Sequence, residues 1–112
     1  MFQGVAANFE QYMTLLSQRQ KLVASNLANV DTPGYHTQDI DFRAEFDNAV
    51  RGQNPSVIEP QGLEVKPDGN NVSLDREARL LAENTMRFSV ASSFARSELS
   101  SLKSAIQESK NA

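Results

Sequence analysis

The chain has 112 residues, of which 39% are hydrophobic and 22% charged, a composition that supports one domain with a modest core. Its formal charge of −3 excludes the broad basic surface that nucleic-acid binding needs. The absence of cysteine excludes disulfides and thiolate metal sites. No run approaches the roughly 20 apolar residues of a membrane span, and residues 1–4 begin neither the basic nor the apolar segment of a signal peptide.

The first third of the chain predicts a long amphipathic helix. Its apolar residues recur at alternating steps of four and three over residues 5–31, which corresponds to a helix about 40 Å long. Arg19 and Asn26 interrupt the apolar stripe, and a polar group at such a position sets register or partner choice more often than it catalyses a reaction. The positions expected to pack within the chain are Phe9, Tyr12, Leu16 and Val23.

A turn is predicted directly after this helix. Thr32 precedes Pro33, whose ring disfavours helical geometry for the residue before it, so the helix is expected to end by Thr32. Proline at the second position and Gly34 at the third predict a type II turn with Thr32 and Tyr35 at its corners. Asn29 and Asp31 are expected to bond the loose backbone groups around the helix end.

The middle of the chain, residues 32–72, is expected to be mostly irregular, because it holds all four prolines and four of the five glycines. One short helix is predicted within it, capped by Asp41 and ended by Gly52. Residues 56–59 and 63–65 flank a Pro-Gln-Gly sequence, which permits a small β-hairpin.

The clearest helical pattern covers residues 73–108, where apolar or small residues follow steps of four and three without a break. Ser73 can cap this helix, and Asp75 and Glu77 lie in its first turn, where the helix dipole favours negative charge. A 3.5-residue period of this length predicts packing against a partner helix, and the N-terminal helix has the matching period. The C-terminal residues expected in this intrachain seam are Leu81, Phe88, Leu99, Leu102 and Ile106.

A second apolar stripe lies on another side of the same predicted helix and consists of Leu80, Met86, Val90 and Phe94. One partner helix cannot cover both stripes. The middle of the chain could fold back over the second stripe. The preferred interpretation is that neighbouring subunits cover it, because contiguous exposed apolar area usually marks an interface.

Residues with catalytic or metal-binding chemistry are sparse. His36, Asp39 and Asp41 are the nearest approach to a metal-ligand cluster, but their irregular spacing in an extended segment does not predict converging ligands. No motif pairs His36 with a nucleophile, and no glycine-rich phosphate loop is present. The sequence therefore predicts no cofactor, no metal, no small-molecule substrate and no enzymatic activity.

The string around the turn resembles the N-terminal signature of the bacterial flagellar axial proteins, the rod, hook and hook-associated family. In that family an Asn-Leu-Ala-Asn-x-x-Thr-Pro-Gly-Tyr string follows a long helix, and Ser25 stands here where a second asparagine is often found. The matching positions are Asn26, Leu27, Ala28, Asn29, Asp31, Thr32, Pro33, Gly34 and Tyr35. Residues 39–42 and 70–77 are most similar to proximal rod members.

The resemblance implies an all-α single domain, in which two long terminal helices pack as a coiled-coil-like pair around an irregular middle. It implies a structural subunit of the proximal rod, the drive shaft of the flagellar basal body in the periplasm. Expected partners are copies of itself, other rod proteins, the adaptor and MS-ring proteins at the rod base, and the type III export gate. Export would proceed without a cleaved signal peptide.

Two other classes of function remain open at the level of the sequence. A cytosolic helical adaptor or export chaperone would bind a partner helix in a groove and would fold as a stable dimer alone. A small metal-dependent enzyme is a weaker alternative.

Overall fold

The computed structural model describes residues 2–53 and 56–111 of the chain. Over these ranges it contains three helices and no strand: α1 (Phe2–Ala28), α2 (Phe42–Val50) and α3 (Leu74–Asn111). The molecule measures 71 × 26 × 17 Å, and its radius of gyration is 18.7 Å, whereas a compact chain of this length would have about 13 Å. The predicted all-α class is therefore confirmed, in an elongated form.

The two long helices pack side by side in opposite directions. Near the end of α1, Asn26 bonds Glu77 at the start of α3. Halfway along, Asn84 bonds the backbone of Leu16. Toward the start of α1, the ring of Phe9 lies 6.4 Å from that of Phe94. The pair is thus an antiparallel hairpin, with its closed end at the middle segment and its open end at the two termini.

The short helix α2 lies against α1 through aromatic side chains. The Tyr12 ring meets Phe42 edge-on at 5.5 Å and Phe46 at 6.2 Å, an arrangement that aligns the positive ring edge with a negative ring face. Asp41 caps α2, because its Oδ1 accepts the Ala44 amide at 3.3 Å. The predicted short helix is therefore present and begins directly after its capping residue, Asp41.

The predicted β-hairpin over residues 56–59 and 63–65 was wrong. Ile58 pairs instead with Asp39, each backbone amide donating to the other's carbonyl, at 2.7 and 2.9 Å. Two short strands joined by a turn are marginal in water. The long-range pairing fastens residues 56–59 to the segment just before α2 and satisfies the same backbone groups.

The predicted C-terminal seam also needs correction, because the residues of α3 buried by packing are Glu77, Asn84 and Ala91. Phe88 is 46% exposed and lines a groove beside Leu16. The period of seven was correct, but it belongs to Glu77, Asn84 and Ala91, of which the first two are polar and were not expected at a buried face. The seam residues that are exposed rather than buried are Leu81, Phe88, Leu99, Leu102 and Ile106.

The second stripe is divided by the structure. Leu80 lies between Glu77 and Asn84 on the face toward α1 and is half-buried, and Phe94 contacts Phe9 of the same chain. Both are corrections to their assignment to neighbouring subunits alone. Met86 and Val90 remain exposed, at 65% and 66%.

Burial is concentrated toward the closed end of the hairpin. The buried hydrophobic residues are Leu15, Leu16, Val23, Ile40, Val72 and Ala91. Beyond Ala91, α3 contributes only half-buried Ser92 and Ala95. Among the described residues, no helix combines the length and the hydropathy that crossing a membrane requires.

We expect the isolated chain to be unevenly stable. Backbone amides of residues 94–111 and 4–9 should exchange with solvent rapidly, and those of residues 19–28 and 70–84 slowly, because local opening is easiest where few buried contacts must break. Hydrogen exchange followed by mass spectrometry measures this directly. Equal protection along both helices would contradict the expectation.

Candidate functional site

The closed end of the hairpin contains an unusual number of buried polar groups. Three segments meet there: the end of α1, the start of α3 and the irregular chain between them. A buried polar group is costly unless it is hydrogen-bonded, so such a cluster specifies one arrangement. Of the buried polar residues of the described chain, Glu45 lies in α2 and Asn84 halfway along the hairpin, and those at the closed end are Asn26, Thr37, Asp39, Asn70, Asn71 and Glu77.

The turn after α1 begins the cluster. Gly34 has φ of 74°, and the Tyr35 amide donates to the Thr32 carbonyl at 3.2 Å, the two features that the Pro33-Gly34 pair favours. Asn29 closes the helix end, since its Nδ2 donates to the Ser25 carbonyl at 2.8 Å. The turn directs the chain back alongside α1.

Asn26 holds the returning segment. Its Nδ2 donates to the Gln38 carbonyl at 2.8 Å, and its Oδ1 accepts the Gln38 amide at 3.0 Å, so the side chain pairs with the backbone as a strand neighbour would. The same Oδ1 accepts the Tyr35 hydroxyl at 3.1 Å, and Nδ2 also reaches Glu77 Oε1 at 3.1 Å. One fully buried amide thus joins α1, the turn and α3.

Asp39 joins the two long helices through arginines. Arg19 of α1 donates from Nε and a terminal nitrogen to the two carboxylate oxygens, both at 3.1 Å. Arg76 of α3 donates to one of the same oxygens. A bidentate arginine–carboxylate pair is directional as well as strong, so Asp39 sets the position of both helices at once.

Glu77 completes this group. It is fully buried, and its Oε1 accepts Arg76 at 2.8 Å as well as Asn26. Two carboxylates and two guanidinium groups are therefore present together and their formal charges cancel. We call Arg19, Asn26, Asp39, Arg76 and Glu77 the clamp.

A second layer of asparagines fastens residues 66–72 to the turn. Asn70 Nδ2 donates to the carbonyls of Asn29 and Thr32, both at 2.9 Å. Asn71 Oδ1 accepts the Thr37 amide at 2.6 Å, and the Thr37 hydroxyl donates to the Asn71 carbonyl at 3.1 Å. Loose carbonyls at the end of α1 are thereby satisfied by side chains from just before α3.

Two glycines allow the turn and the segment before α3 to approach each other. The Gly34 amide donates to the Asp68 carbonyl at 2.9 Å. Gly69 has φ of 88°, and a Cβ on it would stand 3.4 Å from the Gly34 Cα. A side chain at Gly69 would therefore be strained by its φ and crowded by its neighbour.

The residues considered for a metal site go to separate partners. His36 Nδ1 lies 2.8 Å from Glu59 on the surface, Asp39 belongs to the clamp, and Asp41 caps α2. The pKa of the Arg87 guanidinium is raised, chiefly by its interaction with Tyr12 and next by that with Glu83. Arginine is already charged at ordinary pH, so this shift creates no switch.

The structure brings part of the signature string to the site and leaves part at the surface. Asn26, Asn29, Thr32, Gly34 and Tyr35 make the contacts described above. Leu27 is half-buried, while Ala28, Asp31 and Pro33 are exposed.

Sequence reasoning did not identify several of the residues that build the site. Arg76, Glu77 and Asn84 were missed as packing residues because they are polar. Spacing could have revealed Glu77 and Asn84, since Glu77, Asn84 and Ala91 lie seven residues apart and are the buried residues of α3.

We expect Asp39→Ala to lower the free energy of unfolding by about 3 kcal/mol, because two largely buried guanidinium groups lose their counter-ion. Asp75→Ala is the control, since Asp75 and Arg79 form an exposed pair at 3.4 Å and its loss should cost no more than about 1 kcal/mol. Urea unfolding followed by circular dichroism compares them. Equal losses would show that the clamp contributes no more than a surface ion pair.

A second prediction concerns Gly34. A Cβ at Gly34 would meet nothing within 4 Å, so any penalty comes from its positive φ. Gly34→Val should cost at least about 1 kcal/mol, and Gly34→Asn less, because asparagine tolerates this region. Pro33→Ala should be milder still. If valine and asparagine unfold at the same urea concentration, the left-handed conformation is not the constraint.

Comparison with known proteins connects this geometry to a family. A family model described as "Flagella basal body rod protein" matches residues 13–36. This segment includes the second half of α1, the turn and two clamp residues, Arg19 and Asn26. The match therefore falls on the part of the chain whose side chains organise the closed end.

Several whole proteins are also similar to the chain. The flagellar basal body rod protein FlgB of Borrelia hermsii is 34% identical over 106 residues, which cover 71% of the chain and 78% of the relative. FlgB of Salmonella typhimurium is 30% identical over 128 residues, covering 91% and 93%. FlgB of Escherichia coli is 28% identical with the same coverage. The similarity extends over most of the chain and most of each relative, and the chain belongs to the FlgB family of flagellar basal body rod proteins.

Proposed function

We propose that the chain is a structural subunit of the proximal rod of the flagellar basal body, built into a helical tube by contacts along its two long helices. The observation that carries this proposal is an elongated hairpin whose internal contacts are largely polar at the closed end, while apolar residues line both flanks of α3. Family membership gives the setting in which those flanks would be covered.

One flank lies beside α2. Met86 and Val90 project from α3 next to Phe9, Tyr12 and Phe94 of the same groove. An exposed apolar strip of this kind is the usual mark of an interface. We assign Met86 and Val90 to contacts with neighbouring subunits, and the outer edge of Phe94 to the same surface.

The opposite flank contains Leu81 and Phe88, and toward the open end it continues into Leu99, Leu102 and Ile106. Two differently built flanks on one subunit favour heterologous contacts, in which one surface meets a different surface of the next copy. Such contacts generate an open helical array when they do not close into a ring. Helices packed along a tube then resist twisting, which suits a shaft that transmits rotation.

The proposed partners are further copies of this chain, other rod proteins, and the adaptor and MS-ring proteins at the rod base. The proposed location is the periplasmic rod, reached through the type III export gate without a cleaved signal peptide. Marginal packing at the open end of the hairpin supports passage in an unfolded form, because little buried area must be exposed first. The proposal gives the chain no enzymatic role.

Replacing Met86 and Val90, the two most exposed residues of the second stripe, with lysine tests the assembly. Met86→Lys with Val90→Lys should leave the subunit's fold and its export intact, yet prevent rod construction, because unpaired charges would be buried at the interface. The measurement is made in cells whose own copy of the gene has been removed. It combines detection of secreted chain with imaging of purified basal bodies and a motility assay.

The matched control is Met86→Leu with Val90→Ile, which changes the same two exposed positions of α3 and keeps them apolar. These cells should build rods and swim. Normal rods in the Met86 and Val90 variant would remove that flank from the interface. A labelled wild-type chain found outside the rod would overturn the proposed function itself.

A further inference from the structure

A buried, hydrogen-bonded polar side chain lies at the centre of the contact between α1 and α3. Asn84 is buried, and its Nδ2 donates to the Leu16 carbonyl and to the Gln20 Oε1, each at 2.9 Å. The closed-end clamp does not include this residue, which lies one heptad further along α3 than Glu77. Because this amide donates to two groups of one partner helix, both acceptors must lie at a defined position along the axis of α1.

Apolar packing alone would not define the position of α3 along the axis of α1. The apolar and small residues along the flank of α3 recur every seven residues, at Leu81, Phe88, Ala95 and Leu102. A helix that slides by one heptad therefore meets nearly the same surface. Repeating heptads of this kind leave register weakly specified, and a single buried asparagine is an established way to specify it.

Sliding in either direction places polar groups wrongly. If Glu77 moved to the place of Asn84, its carboxylate would meet the Leu16 carbonyl, acceptor against acceptor. If α3 moved the other way, Ala91 would take the place of Asn84 and leave the Gln20 amide oxygen without its donor. Glu83 would then take the place of Arg76 beside Asp39, which would bring two carboxylates together.

We infer that Asn84 is a specificity-determining residue, which fixes the register of α3 on α1 through Leu16 and Gln20 and so rejects other helical surfaces as partners. The second half of this inference depends on the proposed function, since a rod surrounds each hairpin with helices of similar period. The register of the free chain does not depend on it. Because the loop at the closed end joins the two helices covalently, the partner of α3 is then α1 of the same chain.

Register is measurable by cross-linking, because the chain has no native cysteine. Ser17 and Ser89 line the same groove between the helices, so Ser17→Cys with Ser89→Cys reports the native register when joined by a short bismaleimide. Ser17→Cys with Ala82→Cys, or with Arg96→Cys, reports a slide of one heptad in either direction. The products are separated into intrachain and interchain species by mass spectrometry.

With Asn84 present, the native pair should cross-link within the chain about tenfold more than either shifted pair, since burying an amide without its partners opposes the slide by at least this factor. With Asn84→Leu, the ratio of native to shifted cross-links should fall several-fold, because only the clamp then opposes the slide, and cross-linked dimers should appear, although the helical content and melting temperature are kept or raised. Ser93→Leu, which adds the same side chain on an exposed position, should behave as wild type.

A ratio of native to shifted cross-links that Asn84→Leu leaves unchanged overturns the inference. Should Asn84→Leu lose its helical signal because Gln20 is left unpaired, the double variant Gln20→Leu with Asn84→Leu replaces it. The double variant removes the two side chains, of Gln20 and Asn84, that form a hydrogen bond between the helices. An unchanged ratio of native to shifted cross-links in it would equally contradict the inference. Either result concerns the free chain in solution and leaves the proposed place in the rod to be judged by the imaging of basal bodies.

Discussion

The carboxylate of Asp39 is the interaction on which the rest of the structure depends. It is bound by an arginine from each long helix, Arg19 and Arg76, and its own backbone pairs with Ile58. Four stretches of chain that are far apart in sequence are thereby fixed relative to one side chain. Removing water from such a group is costly, and only a complete set of partners offsets the cost. The closed end is consequently specified by geometry more than by apolar area.

This polar specification explains why so much apolar surface remains on the outside. Glu77 and Asn84 occupy the face of α3 that an ordinary two-helix hairpin would fill with leucine. Leu80 apart, the large apolar residues of α3 lie mostly on its flanks, where Phe88 and Val90 are on opposite sides of the contact with α1. A subunit built for incorporation into a tube needs its own helices aligned before its neighbours arrive. Polar contacts align them and leave apolar residues such as Phe88 and Val90 exposed.

Periodicity in the sequence predicted the two long helices, and local chemistry predicted the turn at Pro33-Gly34 and the short helix after Asp41. These features depend on neighbouring residues, so the sequence contains them directly. The partner of Ile58 and the roles of Arg76 and Glu77 depend on contacts across tens of residues. A helix face was expected to be apolar wherever it is buried, and this rule failed for Glu77 and Asn84 because each has partners supplied by another segment. The signature string marked Asn26 as unusual without indicating that Gln38 and Glu77 would be bound to it.

Many bonds at the closed end and between the long helices join a side chain to a backbone group. Asn26 binds the backbone of Gln38, Asn70 binds the carbonyls of Asn29 and Thr32, and Asn84 binds that of Leu16. A carbonyl is supplied by any residue type, so one partner in each of these bonds is free to change during evolution. The fold is then encoded by a small number of amides and charges scattered along the chain. Such an encoding is compatible with relatives that share only about a third of their residues yet align over most of their length.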